Sequence, residues 1–324
     1  MIRVNNIHLS LDYDDKSVRK AVAQQLRIEE KSIKSCKIFR RSVDARKKDS
    51  IYFLTTVDAE LNINEDKVCK KCGNAQIAKK YEYNQMKFGN APSPVVVGAG
   101  PAGLFAALIL ARSGANPILI ERGRDVDRRT ADVNRFWTSG QLDTTSNVQF
   151  GEGGAGTFSD GKLNSGTKDI RLRKVLEEFV SHGAPDEILY NAKPHIGTDM
   201  LKGTIKNIRN EIIELGGRVK FETKLVSMAF SDNKLKSITV ETANGNEIIE
   251  TDNVILAIGH SARDTFEMLQ KRGVYMEPKS FAVGLRIEHP QEMINMDLYG
   301  EPENELLGAA SYKVTHKCAN GRGV

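Results

Sequence analysis

The segment Val95-Val96-Val97-Gly98-Ala99-Gly100-Pro101-Ala102-Gly103, followed by the apolar residues 104–112, decides the fold of this chain. Its three valines predict a short buried strand, and the apolar stretch behind the glycines predicts a helix. After Gly114, the run Pro117-Ile118-Leu119-Ile120 predicts a second buried strand that ends at Glu121. Strand, helix and strand together predict a βαβ unit of ordinary length.

The glycine spacing in this unit predicts a dinucleotide site. Gly98 permits the tight strand-to-helix turn, Gly100 lets the backbone approach a pyrophosphate, and Gly103 lets helix and strand pack closely. The helix N-terminus then faces the anion. At the end of the second strand, Glu121 can accept the hydroxyl protons of an adenosine ribose and would repel a 2′-phosphate. NADP is therefore disfavoured here, although the neighbouring Arg122 weakens that exclusion.

The order of the later elements indicates which dinucleotide is bound. A plain NAD domain would continue with another short βα unit, whereas this chain enters a long insertion with two helices and then a β-meander. The predicted elements are helices over residues 170–181 and 198–215 and strands over residues 219–223, 226–231, 236–242 and 254–258. The last strand is an unbroken apolar run, expected to be buried on both faces, and Gly259 follows it at the cofactor crevice. This order favours a flavoprotein, and FAD is the predicted cofactor.

A second glycine-rich segment begins at Gly151, and five of residues 151–161 are glycine. Such a backbone can approach a phosphate or a flat ring closely. Thr157, Ser159 and Lys162 add hydrogen-bond donors. The alternative is a mobile surface loop without a ligand.

The chain divides into three predicted segments. Residues 1–61 read as strand, helix and two strands, a small α+β domain in which Asp14 and Asp15 are candidate helix N-caps. Residues 62–93 are polar and lysine-rich and are interpreted as a linker, and residues 94–324 as the FAD-binding domain. The fold class is therefore α/β, with a Rossmann-like parallel sheet and a β-meander.

Composition and charge argue against several classes of function. No apolar run is long enough to cross a membrane, residues 1–10 lack the apolar centre of a signal peptide, and four scattered cysteines form no disulfide framework, so a cytoplasmic protein is expected. Residues 1–90 carry 19 Lys and Arg against 12 Asp and Glu, and the whole chain has a net charge of +5. A nucleic-acid partner for this basic segment is disfavoured against a solvated surface but stays open.

The CxxC pair Cys69 and Cys72 lacks the further ligands that zinc needs. We expect two free thiols and no metal site, with redox chemistry as the alternative. Nothing in the sequence supports hydrolytic chemistry.

Four motifs together resemble a bacterial family of FAD-dependent, NAD(P)-type oxidoreductases. They are the segment around Gly98, the run Gly-Glu-Gly-Gly-Ala-Gly-Thr-Phe-Ser-Asp-Gly-Lys-Leu from Gly151, Val-Ile-Leu-Ala-Ile-Gly-His-Ser-Ala-Arg from Val254, and Phe-Ala-Val-Gly-Leu-Arg-Ile-Glu-His-Pro from Phe281. The resemblance implies FAD in a glutathione-reductase-like arrangement, with the Val226 backbone near the adenine and NAD(P)H as a candidate electron donor. Members of that family continue past the position of Val324, so we expect this chain to be a fragment lacking the segment that closes over the flavin.

These observations give one leading hypothesis, an FAD-dependent, dehydrogenase-like oxidoreductase whose small-molecule substrate and catalytic residues the sequence does not identify. Arg286 is a candidate for binding a carboxylate or a flavin carbonyl, and Trp137 for a core or flavin-covering aromatic. The alternatives are a nucleic-acid-associated flavoprotein and a non-catalytic remnant. The predicted cofactor-binding residues are Gly98, Gly100, Pro101, Ala102, Gly103, Glu121, Arg122, Gly153, Gly154, Gly156, Thr157, Ser159, Lys162, Val226, Ala257 and Gly259.

Overall fold

The structure, a computed structural model, describes residues 1–79, 82–89, 92–158, 161–163, 165, 167, 169–281, 283–285 and 287–323. The chain forms two compact units. One consists of Met1–Lys80, Tyr190–Ala192 and Ser280–Val324, and the other of Tyr81–Leu189 and Lys193–Lys279.

The first unit is built on an antiparallel sheet with the strand order β2-β3-β1-β4. Its elements are β1 (Ile2–Leu9), α1 (Asp15–Leu26), β2 (Ile33–Asp44), β3 (Tyr52–Leu61), α2 (Glu65–Lys71) and β4 (Ala75–Ile77). The Asp14 side chain caps α1 by accepting the Ser17 N–H at 2.7 Å. Val18, Val22 and Leu26 of α1 are buried with the apolar residues of β1 and β3. The predicted α+β character is confirmed.

The segment interpreted as a linker contains structure that its composition does not indicate. Asn64 caps α2 by accepting the Lys67 N–H at 2.9 Å, and Val68 anchors the helix in the core. Strand β4 then pairs with β1. This short helix is marked in the sequence by one cap residue and one buried apolar residue. A single apolar residue has no periodicity, so the sequence pattern does not predict the helix. The division into residues 1–61, 62–93 and 94–324 stays a prediction.

The second unit has three layers around a parallel sheet with the strand order β11-β5-β6-β7. Its first elements are β5 (Val95–Val97), α3 (Pro101–Arg112), β6 (Ile118–Ile120), α4 (Val126–Ser139), α5 (Arg171–Ser181), α6 (Thr198–Glu214) and β7 (Arg218–Lys220). They are followed by the antiparallel meander β8 (Lys224–Ser231), β9 (Lys234–Thr242) and β10 (Gly245–Glu250), then β11 (Val254–Leu256) and α7 (Arg263–Lys271). Helix α8 (Gln291–Tyr299) lies in the first unit.

Alternation along the strands explains the layers. Val96 and Leu119 point into a core shared with α3, α5 and α6, whereas Val95, Val97 and Ile118 point into a core shared with the meander and α7. Because side chains alternate along a strand, a sheet covered on both faces needs such unbroken apolar runs. The predicted α/β fold with a parallel sheet and a meander is therefore confirmed.

The structure corrects one expectation about these strands. Strand β11 was expected to be buried on both faces, but Ile255 is 40% exposed and Leu256 is 39% exposed. Among the residues that the structure describes, the strand pairs with β5 alone and forms the edge of the parallel sheet. An apolar run thus predicted the strand but not its burial.

Within the described residues, none of the helices combines the length and the apolar character that crossing a lipid bilayer requires.

Candidate functional site

The three glycines of the turn between β5 and α3 differ in their surroundings. Two of them pack closely against the backbone, and one faces open space. Gly98 has a φ of +102°, and a Cβ there would overlap the carbonyl oxygen of Ala257. A Cβ on Gly103 would overlap the carbonyl oxygen of Gly98. A Cβ on Gly100 would meet only the Cα of Gly154, at 3.8 Å. The protein therefore needs glycine at the first and third positions for its own packing, but not at the second.

Helix α3 begins at this open position. Gly100 is its N-cap and contributes no side-chain cap, while Pro101 and Ala102 are exposed. The first backbone N–H groups of a helix have no partner within it, and the helix dipole places positive partial charge at the same end. An anion resting on Gly100 would meet both, so the turn fits a pyrophosphate.

Glu121 lies beside the turn, with a second role that the sequence does not reveal. One carboxylate oxygen accepts the Ala99 N–H at 2.8 Å, and the other accepts the N–H groups of Gly123 and Gly151 at 2.9 and 3.0 Å. The residue is 6% exposed. A carboxylate has about four acceptor positions, so about one is left for a ribose hydroxyl. Ribose binding by Glu121 stays a prediction, whereas its tie to both glycine segments is observed.

The second glycine segment packs directly on the first. The Gly153 N–H donates to the carbonyl of Ala99 at 2.8 Å, and a Cβ on Gly154 would lie 3.1 Å from the Cα of Gly100. Thr157 is fully buried against Gly153, since a Cβ on that glycine would overlap the threonine hydroxyl. The two segments are far apart in the sequence but pack together into one backbone surface at the start of α3.

A buried arginine supports the second segment from inside. Arg129 of α4 has no exposed surface, and its guanidinium donates to the carbonyls of Asn147, Val148, Gly151 and Glu152 at 2.6 to 3.3 Å. Burial lowers the pKa of Arg129 to about 10, so the group stays charged at neutral pH. Sequence reasoning missed this residue because it missed α4. The helix carried its signals, an Asp125 N-cap and Gly140 as a left-handed C-cap.

Glu152 is the second missed residue and is also fully buried. Its Oε2 accepts the Val126 N–H at the start of α4 at 2.7 Å and pairs with Arg209 of α6 at 2.9 Å. Its Oε1 has no hydrogen-bond partner among the described residues. Burial raises the pKa of Glu152 to about 7. A lone carboxylate within a glycine run was the available sequence signal.

Four more of the predicted cofactor-binding residues have the following surroundings in the structure. Ala257 contacts Gly98 and donates its N–H to the Val97 carbonyl at 2.8 Å. Gly259 has a φ of +69°, and a Cβ there would meet no atom within 4 Å. A Cβ on Gly156, in the short 3₁₀ turn Ala155–Phe158, would likewise meet none. Lys162 is exposed and forms an isolated bridge with His195.

Arg122 points toward the meander side of the unit. Its guanidinium pairs with Asp264 at 3.0 Å and donates to the Thr265 hydroxyl at 2.8 Å. Asp264 and Val226 line an open cleft of about 500 Å³ between β8 and α7. Val226 thus shares a cleft with the ion-pair partner of Arg122, on the meander side of the sheet, and its predicted place near the adenine stays a prediction.

The weaker candidates have the following positions. Ser159 and Arg286 lie outside the described residues. Trp137 is 60% exposed and so does not lie in the core, while the alternative of a flavin-covering aromatic stays a prediction. Its ring contacts that of Phe158 edge to face, with the centroids 6.2 Å apart. Cys69 and Cys72 are half-buried free thiols, and burial raises the pKa of Cys69. The described residues contain no cluster of His, Cys, Asp and Glu that could hold a metal ion.

Comparisons with known proteins support the family and the FAD cofactor. The family model of pyridine nucleotide-disulphide oxidoreductases matches residues 92–265, and that of FAD-dependent proteins, C-terminal domain-like, matches residues 280–324. Residues 1–60 match a domain of unknown function. An uncharacterized protein of Clostridium beijerinckii is 48% identical over 322 residues, which cover 98% of this chain and 60% of that relative. The chain thus spans about three fifths of the relative's length.

Solved structures resemble the chain more distantly. Thermovibrio ammonificans THI4 shares 17% identity over 57% of this chain and 64% of its own, with a TM-score of 0.37. The L-proline dehydrogenase of P. horikoshii shares 14% identity over 59% of this chain and 58% of its own, with a TM-score of 0.38. These scores are too low to bear on function. The family models cover the glycine turn and the parallel sheet, and the chain belongs to the pyridine nucleotide-disulphide oxidoreductase family, with FAD as its cofactor.

Proposed function

We propose that this chain is the flavin-binding part of a dehydrogenase-like oxidoreductase that transfers electrons or a hydride to or from a small molecule. The observation that carries the proposal is the joining of two distant glycine segments at the uncapped start of α3, around a glycine whose missing side chain leaves space for a ligand. NAD(P)H is the proposed electron donor, in keeping with the family.

The residues of the chain have separate tasks in this proposal. Gly98 and Gly103 give the turn its shape, and Gly100 leaves room for the pyrophosphate. The N-terminus of α3 offsets the charge of the phosphates. Glu121 fixes the turn to the second glycine segment and offers its remaining acceptor position to the ribose. Bound FAD would supply the redox chemistry, because its ring system accepts and returns an electron pair, while the protein binds and orients it.

The remaining predicted site residues would surround the same cofactor. Gly153, Gly154, Gly156 and Thr157 would border the pyrophosphate, and Gly259 would lie at the carboxyl end of β11, where α/β sheets bind ligands. The glycines have no side chains, and the side chain of Thr157 is buried. Neither therefore covers the backbone at the position where Gly100 and Gly154 meet.

The test is the flavin content of the purified protein. Wild-type protein should carry FAD, recognised by its absorption spectrum, and added NADH or NADPH should bleach that spectrum. Gly100→Val should lose the flavin yet keep the melting temperature, because the new side chain enters ligand space. Gly203→Val is the matched control, since Gly203 is exposed on α6 and a Cβ added there would meet no atom within 4 Å. Flavin retained by Gly100→Val would refute the site, and a flavin that neither nucleotide reduces would refute the donor.

A further inference from the structure

Arg129 and Glu152 lie beneath the cofactor surface and are not expected to touch FAD themselves, since both are fully buried. Arg129 joins four carbonyls of residues 147–152, a segment without regular secondary structure. Buried carbonyls need hydrogen-bond partners, and in most loops these come from several different groups. Here one guanidinium supplies them, so its position determines that of the segment.

Glu152 fixes the same segment to two further elements. Its carboxylate connects the start of α4, through the Val126 N–H, with Arg209 of α6. Its backbone N–H donates to the carbonyl of Arg124 at 3.0 Å. The segment is thus held in two ways, through its carbonyl groups by Arg129 and through its one charged side chain, Glu152.

The opposite face of the segment meets the dinucleotide turn. Gly151 and Gly153 donate N–H groups to Glu121 and to the Ala99 carbonyl, and Gly154 contacts Gly100. Any shift of residues 151–154 therefore changes the width of the space above Gly100. Resting on the proposed flavin site, we propose that Arg129 and Glu152 are positioning residues that set the gap between the two glycine segments and thereby the affinity for the pyrophosphate of FAD.

The experiment compares ligands that contain a pyrophosphate with one that does not. FAD binding is measured by quenching of flavin fluorescence, and ADP and adenosine are measured as competitors of FAD. Arg129→Lys retains the charge but lacks the fork that reaches four carbonyls. Glu152→Gln retains the size but loses the charge that pairs with Arg209. It serves if the lysine variant does not fold, with binding measured at about pH 8, where the wild-type carboxyl is ionised. Glu178→Gln is the matched control, because Glu178 is another buried carboxylate in an ion pair, in its case with Arg112 and Lys174.

We expect Arg129→Lys and Glu152→Gln to weaken FAD and ADP binding by about 10-fold or more while adenosine competes as before. Glu178→Gln should lower the melting temperature without changing any of the three affinities. A general structural role would weaken adenosine as much as ADP, and that result would overturn the proposal. So would folded variants with wild-type affinity for FAD. Wild-type protein that fails to bind FAD at all would instead contradict the proposed function on which this inference rests.

Discussion

Replacing Glu121 by glutamine tests whether one carboxylate joins the two glycine segments. The wild-type side chain accepts three backbone N–H groups, one on Oε2 and two on Oε1. An amide has one oxygen only. Its less costly orientation keeps that oxygen on Gly123 and Gly151 and turns the NH₂ group toward the N–H of Ala99, so that two donors face each other.

The magnitude follows from this count of bonds. A hydrogen bond to a charged group contributes about 1.5–3 kcal/mol, and one of the three is lost. The other two lose their charge assistance, which is roughly half their strength. We expect a loss of about 3–6 kcal/mol in the free energy of unfolding. For a unit of about 200 residues this lowers the melting temperature by at least about 6 °C. FAD affinity should fall as well, because Ala99 lies within the turn.

The assays are a thermal melt and a titration with FAD. Glu247→Gln is the control, since Glu247 forms a half-exposed pair with Lys220 at 2.8 Å and its loss should cost less than about 1 kcal/mol. A wild-type melting temperature for Glu121→Gln would refute the three-bond arrangement. A lowered melting temperature with unchanged FAD affinity would confine Glu121 to a structural role and refute ribose binding.

Three further perturbations test other parts of the second unit. Gly103→Ala should destabilise it by about 3 kcal/mol or more in a urea titration, because the new methyl group overlaps the Gly98 carbonyl oxygen; a change below about 1 kcal/mol would contradict the close packing of α3 on β5. The raised pKa of Glu152, about 7, means that the folded state retains this proton more readily than the unfolded state. Stability contributed by this group is therefore highest at acid pH and falls as the pH rises to about 7, by about 2 kcal/mol between pH ~5 and pH ~8; Glu152→Gln should lack this decline, and parallel pH profiles for the two proteins would contradict it. Arg112→Met should cost about 2 kcal/mol in the free energy of unfolding, because Arg112 pairs with Glu178 and Glu211 on two other helices. Lys206→Met, which removes an exposed pair with Asp127, should cost less than about 1 kcal/mol, and equal losses for the two variants would refute the importance of burial.

The sequence predicted those parts of the fold that depend on neighbouring residues. The strands β5 and β6, the glycine turn and helix α3 form one continuous stretch, and each signal in it supports the next. The start of α1 at Asp14 was also readable, because an N-cap acts on residues three positions away.

Burial was less predictable, because it depends on which elements pack against a strand. The run Val254–Leu256 has the same composition as a central strand, yet its place at the edge of the sheet leaves Ile255 and Leu256 partly exposed. In helix α4 the polar residues outnumber the apolar ones, although Arg129 and Asp132 are buried there. Pattern-based prediction assumes that polar residues are exposed. It therefore assigns such a helix to the surface or overlooks it.

The cofactor site shows the same limit at the level of single residues. The spacing of Gly98, Gly100 and Gly103 predicted a nucleotide turn, but only the structure separates glycines that the protein needs from the one that leaves space for a ligand. The structure also shows a contact of Glu121 that its position in the motif does not indicate: its carboxylate accepts the Ala99 N–H within the turn. The second glycine segment contains little in its own sequence that would fix it against the first. Its position comes from Arg129, 22 residues before Gly151, and from Arg209, 57 residues after Glu152. The shape of the site is therefore a property of the packed helices α4 and α6 as much as of the glycine motif.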